Sequence, residues 1–262
     1  MKHVDNESSS GELLHTKHAF PPNNLGYCGP DTRGRILEHL HDHATDESLL
    51  SILTRFEAAY PFVKMIAKST GRKPFDYEVA EAYWIGNPLL DSVKPVEFYE
   101  FTHRGLNVKL PKKDAKLLFK QLGAVAKPHH TFYVMGMYSR PAATSANREK
   151  LLQLMDSCRI SWGRVVEVKE KELVVERSPL TFKKSEEEHL LLSKPVRTKV
   201  AYDQEIAPFN SISTGDWVSL HWNFASEKLT SRQVRNLRAY TLGDIKATNL
   251  FMDLLTRTKS QL

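Results

Sequence analysis

The chain is poor in cysteine: Cys28 and Cys158 are the only two in 262 residues. Two thiols make neither a disulfide framework nor a four-cysteine zinc site. No run approaches the roughly 18 apolar residues of a membrane span. The opening stretch, Met1 to Ser10, lacks the apolar core of a secretory leader. These absences point to a cytoplasmic setting in which both cysteines stay thiols. Charge is not extreme: 37 Lys and Arg against 31 Asp and Glu leave +6, a mildly basic balance. Hydrophobic residues at 41% and charged residues at 26% lie near globular averages. Wholesale disorder, collagen and coiled coil are thereby excluded. The length suffices for a core without staples and for one to two domains of about 150 residues. A Gly-rich phosphate loop, His-Glu-x-x-His and Gly-x-Ser-x-Gly are all missing. No catalysis and no nucleotide or organic cofactor are expected.

What is present divides in two. Residues 1–12 are polar and Ser-rich and read as a disordered tail. The segment Phe20 to Asp31 holds three prolines and two glycines among large apolar residues, which predicts a packed irregular loop. Between Thr32 and Leu122 the apolar spacing is helical, as in Ile36, Leu37, Leu40 and Leu49, Leu50, Leu53, Phe56. Asp46 and Asp76 are placed to cap helices, Gly86-Asn87-Pro88 to stop one, and Pro95 and Pro111 to open others. Asn147 opens a helix through Leu151, Leu152 and Met155. Residues 13–155 therefore read as an all-α domain. From Cys158 the character changes. Val165 to Val168 and Leu173 to Glu176 flank a polar turn, Val196 to Tyr202 alternates, and Gly215-Asp216 precedes Trp217 to Trp222. Short strands with turns between them suggest a small barrel. Thr230 caps a helical tail that Gly243 is expected to interrupt. The fold class is α+β: an all-α N-terminal part, then a barrel and a C-terminal helix over residues 156–262.

Candidate residues are few. On a helix His39 and His43 share a face while His41 points away, which is short of a metal set. His129 and His130 follow Pro128, and one of them is expected to bond a backbone carbonyl inside the core. Cys28, between Tyr27 and Gly29, reads as a small buried thiol in a tight loop. An enzyme reading would pair Cys28 with His18, His129 or His130. Glu81 to Asn87 reads as a core helix end or a binding face. Arg232, Arg235 and Arg238 form a basic stripe on the last helix, extended by Lys246, Arg257 and Lys259. The stripe suits a solvated face or an acidic partner, and nucleic acid is disfavoured.

The strongest pattern begins at Cys158. It reads Cys158-Arg159-Ile160-Ser161-Trp162-Gly163-Arg164-Val165, and later Gly215-Asp216-Trp217-Val218, His221, Phe224-Ala225, Glu227-Lys228. These two segments resemble the start and end of the HypC family of [NiFe]-hydrogenase maturation chaperones, over about the last 100 residues. The resemblance implies an OB-type barrel with a C-terminal helix and a non-catalytic assembly role. Iron would be held transiently through Cys158, with His221 as its helper, because a thiolate suits a soft, low-spin iron centre. The implied cargo is an iron atom bearing cyanide and carbon monoxide. The implied partners are a [NiFe]-hydrogenase large subunit precursor and a HypD-like protein, contacted by the Arg232, Arg235 and Arg238 stripe and the helical part. The alternative is a protein-binding scaffold that keeps the barrel and lacks the metal role.

Overall fold

The structure, a computed structural model, describes residues 10–105, 126–142, 147–182, 189–206 and 211–259. The helix expected to open at Pro111 and the run Lys183 to Glu188 lie outside the described residues. So do positions 1–9 of the expected tail. The chain is α+β, with helices first, then a closed five-stranded barrel and a C-terminal helix. No helix among the described residues is long and apolar enough to cross a membrane.

The helical part comprises α1 (Gly11–Asn24), α2 (Arg33–Asp42), α3 (Glu47–Leu53), α4 (Tyr60–Thr70) and α5 (Tyr77–Trp84). A 3-10 turn (Pro88–Ser92), α6 (Pro95–Gly105), α7 (His130–Ala142) and α8 (Arg148–Cys158) follow. Asp46 caps α3 by accepting from the Leu49 N–H at 2.9 Å. Asp76 stands at the start of α5 but turns back to accept from the Lys73 N–H instead.

The start of the chain differs from expectation. Ser10 accepts from the Leu13 N–H at 3.1 Å, and this cap starts α1 at Gly11, inside the segment read as tail. Helix α1 then runs through Pro21 and Pro22 to Asn24, where an irregular loop was expected. A proline withholds the N–H owed to the carbonyl four residues earlier. Here both prolines stand in the last turns, so the carbonyls they leave, of Lys17 and His18, need partners from elsewhere. His221 supplies one of them.

The barrel strands are β1 (Ser161–Val168), β2 (Glu172–Arg177), β5 (Val196–Ala201), β6 (Trp217–His221) and β7 (Phe224–Leu229). Their order around the barrel is β1-β2-β5-β7-β6, closed by β1 against β6. All pairs are antiparallel except β5 with β7. Val165, Leu173, Val175, Val200, Val218 and Leu220 cluster as a buried core. Gly163 gives Val175 and Leu220 room to meet, since a Cβ there would collide with the valine. A separate hairpin, β3 (Leu180–Phe182) with β4 (Leu190–Leu192), packs against α7, α8 and the last helix.

The last helix, α9 (Ser231–Lys259), opens on a reciprocal cap. Thr230 Oγ1 accepts from the Gln233 N–H, and Gln233 Oε1 accepts from the Thr230 N–H at 2.9 Å. Glu227 and Lys228, which the resemblance places at a helix opening, are the end of β7. Gly243 does not interrupt α9. An interior glycine costs only about 1 kcal/mol, and burial of Leu237, Ile245 and Ala247 outweighs it. The main core is continuous between the parts: Phe62, Tyr83 and Trp84 share it with Ile160, Leu229 and Leu237.

Candidate metal centre

Three local features bring the site together. Helix α8 ends at Cys158, whose neighbour Ser157 offers an uncapped carbonyl. The Trp222 N–H takes that carbonyl at 2.8 Å. Trp222 and Asn223 form the β6–β7 turn with φ of 51° and 57°, as a tight hairpin of this twist requires. The turn therefore seats the end of β6, and with it His221, against the end of α8. Helix α7 begins at His130 on the opposite side. Its Nε2–H donates to the Cys158 carbonyl at 2.9 Å.

The ligand atoms of His130, Cys158 and His221 lie within 4.8 Å of one another. His221 Nδ1–H donates to the His18 carbonyl at 2.6 Å, the carbonyl that Pro22 leaves free. This fixes the tautomer and leaves the Nε2 lone pair buried and without a hydrogen-bond partner. A backbone carbonyl behind one imidazole nitrogen, with the other nitrogen unpartnered, is the arrangement of a metal ligand. His130 is more occupied. Since Nε2 donates to Cys158, Nδ1 accepts from the Tyr83 hydroxyl at 3.0 Å. Tyr83 has the Ala58 carbonyl at 3.4 Å to turn to, which would free that lone pair. A four-coordinate site with Zn–S near 2.3 Å and Zn–N near 2.0 Å separates its ligands by roughly 3.5 Å. A bound ion would draw these three side chains inward.

The group faces a cavity of ≈ 120 Å³. Cys28, Phe56, Tyr83, Trp84 and Trp222 also line it. Trp84 stands at the centre of a buried histidine cluster: its indole N–H donates to His15 Nδ1 at 3.0 Å. Its ring stacks on His18 at 5.4 Å and leans on His130 and His221. His18 is pinned by the Leu14 carbonyl and the Ser219 hydroxyl.

Electrostatics keep the cluster neutral at rest. Burial holds His15 and His18 down at about 3 and pushes His130 well below the ordinary value. Burial also brings His221 down to about 4, against the opposing pull of the His18 and Cys158 carbonyls. Cys158 is pushed up to about 12, mainly by burial, with Cys28 adding to the rise and the Trp222 indole opposing it. Its place at a helix C-terminus is electronegative and does nothing for a thiolate. Activated nucleophilic thiols sit at helix N-termini or beside cations. The same negative helix end favours a cation.

The other sequence candidates lie apart from this group. His39 bonds Ser48, His41 faces Glu205 and His43 ends α2 in a left-handed turn, so the three do not converge. His129 bonds Asp244 at 2.9 Å inside the core. Arg232, Arg235 and Arg238 are exposed on α9, and Arg232 reaches the buried Glu81 at 3.4 Å. Sequence reasoning reached Cys158 and His221 through their resemblance, and expected a histidine at 129 or 130 to bond a carbonyl, as His130 does. His15 carries no local signal, whereas Tyr83 and Trp84 fall in the Glu81 to Asn87 stretch read as a core helix end or a binding face; all three act through partners distant in sequence.

No curated protein and no solved structure matches the chain. A model for a family of unknown function (DUF6390) matches residues 7–254, spanning helices and barrel alike, and the chain belongs to that family.

Proposed function

We propose that this protein is a non-catalytic carrier and docking factor in [NiFe]-hydrogenase maturation, built on an OB-type barrel. The observation that carries this reading is the convergence of Cys158 and His221 on one cavity, with the His221 Nε2 lone pair unpartnered. These are the two residues that the resemblance to HypC singles out. The strand order supports the OB assignment: three antiparallel strands, then a parallel pairing of the third with the last, closed by the first against the fourth.

The cargo is an iron unit bearing cyanide and carbon monoxide, and a thiolate with an imidazole suits so soft a centre. The Cys158 proton leaves as the iron arrives, since only the thiolate binds metal. The exposed Arg232, Arg235 and Arg238 stripe is the proposed contact for a large subunit precursor or a HypD-like partner, in the cytoplasm. The test is affinity purification from the native host with wild type and Cys158→Ala in parallel. Infrared spectra of the eluates are searched for metal-bound carbon monoxide and cyanide bands. Those bands with a hydrogenase partner in wild type alone support the carrier.

A scaffold without metal is the second reading. It is favoured by the protonated Cys158 thiol at an electronegative helix end. The same partners recovered without bands, and equally with Cys158→Ala, would select it.

A further inference from the structure

We propose that Cys28 is a second thiolate ligand of this centre, so that Cys28, His130, Cys158 and His221 together form a Cys2His2 site for a soft divalent cation of the zinc class. The inference rests on the metal reading of the cavity, in which a zinc-class ion and an iron cargo would be alternative occupants of Cys158 and His221.

Cys28 lies on the loop between α1 and α2, far from the barrel in sequence, yet lines the same ≈ 120 Å³ cavity as the other three. Both cysteines of the chain therefore line one cavity. Its placement is braced on either side. Asn23 Nδ2 donates to the Cys28 carbonyl at 2.8 Å and to the Pro30 carbonyl at 2.9 Å, clamping the turn. Gly29 follows at φ 83°, and a Cβ there would strike the Phe56 ring. Tyr27, the residue before Cys28, stacks on Trp222, the residue after His221, with centroids 4.4 Å apart and planes at 13°. The stack ties the Cys28 loop to the β6–β7 turn, and both rings line the cavity. Cys28 adds to the rise of the Cys158 thiol, and its sulfur stands outside the 4.8 Å group formed by the other three, so a bound ion would draw the Cys28 loop inward.

Charge decides between one thiolate and two. A divalent cation with one thiolate and neutral imidazoles leaves a net positive charge in a buried site. With two thiolates the centre is neutral, which removes the large cost of an unbalanced buried charge. The donor set then matches that of closed structural zinc sites, two sulfurs and two imidazole nitrogens. Both thiols release their protons to solvent as the ion binds.

The test is anaerobic titration of the reduced, metal-free full-length protein with cobalt(II), followed by displacement with zinc(II). One equivalent of tetrahedral cobalt is expected, with sulfur-to-cobalt charge transfer of two thiolates. Cys28→Ser should halve that charge transfer and weaken binding by more than the roughly tenfold lost with a supporting hydrogen bond. Its circular dichroism without metal should match wild type. Undiminished charge transfer and affinity in Cys28→Ser would overturn the Cys28 assignment while leaving a three-ligand centre. Absence of cobalt bands in wild type would overturn both. If Cys28→Ser does not fold, X-ray absorption of the zinc-loaded wild type counts the sulfurs near 2.3 Å. Two support the proposal and one overturns it.

Discussion

Pro22 shows how one residue at the edge of a helix can set the chemistry of another in the barrel. By withholding an N–H from the His18 carbonyl, it leaves that oxygen to orient His221. Pro22→Ala restores a competing donor. Cobalt affinity should then fall by roughly tenfold, the scale of a lost supporting hydrogen bond at a metal ligand. Helix content by circular dichroism should not fall, and unchanged affinity would mean the carbonyl serves both donors. Cys158 offers a second check at this scale. With its thiol at about 12, the thiolate fraction at neutral pH is on the order of a thousandfold below that of a free cysteine. Iodoacetamide should label Cys158 at least that much more slowly in the folded protein than in urea; similar rates would place the sulfur in solvent. Cys158 and His221 were legible because a short motif surrounds each. Cys28 was visible as a residue and read as a buried loop thiol. Nothing near it in sequence says that the Trp222 turn folds over it.

At the scale of elements, the join between α8 and the barrel rests on Asp156. Its Oδ1 accepts from Arg159 Nε at 3.0 Å and from the Leu180 N–H at 2.9 Å, and its Oδ2 accepts from Arg177. One carboxylate thus ties the end of α8 to β2 and β3. Arg159 is 1% exposed and Arg177 7%, so both guanidinium groups depend on this partner. Asp156→Ala should destabilise the protein by about 3–5 kcal/mol, the cost of stranding a buried charge. Asp156→Asn, which keeps one acceptor oxygen, should cost less. The comparison is made by urea denaturation, and a loss below about 1 kcal/mol would mean that water reaches the arginines. Most element types were legible here, since caps and strand alternation are local signals. The exceptions have physical causes. Helix α1 keeps two prolines in its last turns, where His221 takes up the His18 carbonyl that Pro22 frees, and α9 passes Gly243 because its buried face outweighs the propensity cost.

The whole molecule carries a pH dependence in its core. His15, His18, His130 and His221 stay neutral when folded but titrate near 6.5 when unfolded. Above pH 6.5 they are neutral in both states and add no slope. Below it the unfolded chain takes up protons that the folded chain refuses, so stability is lost as pH falls toward 4 and 3. Each such group removes roughly 1.4 kcal/mol per pH unit in that window. Asp244 works in the opposite sense. Burial raises it from 3.8 to about 6 against the opposing effect of His129, so between these values the folded chain holds an extra proton. That offsets about one histidine. The urea midpoint should therefore fall steeply from pH 6 to 4, and a flat profile would show that the histidines titrate inside the folded protein.

The sequence by itself determined the α+β character, the position of the change near Cys158 and most helix starts and stops, and the resemblance pointed to two residues of the candidate centre. Each of these follows from periodicity, capping or a short motif, all of which act over a few residues. Tertiary structure alone decided that Cys28, His130 and Trp84 face the same cavity as Cys158 and His221, that Pro22 orients a barrel histidine, and that the helical core continues to the barrel. These depend on packing across the whole chain: burial sets which lone pairs lack partners and which thiols stay protonated, and no local pattern encodes burial.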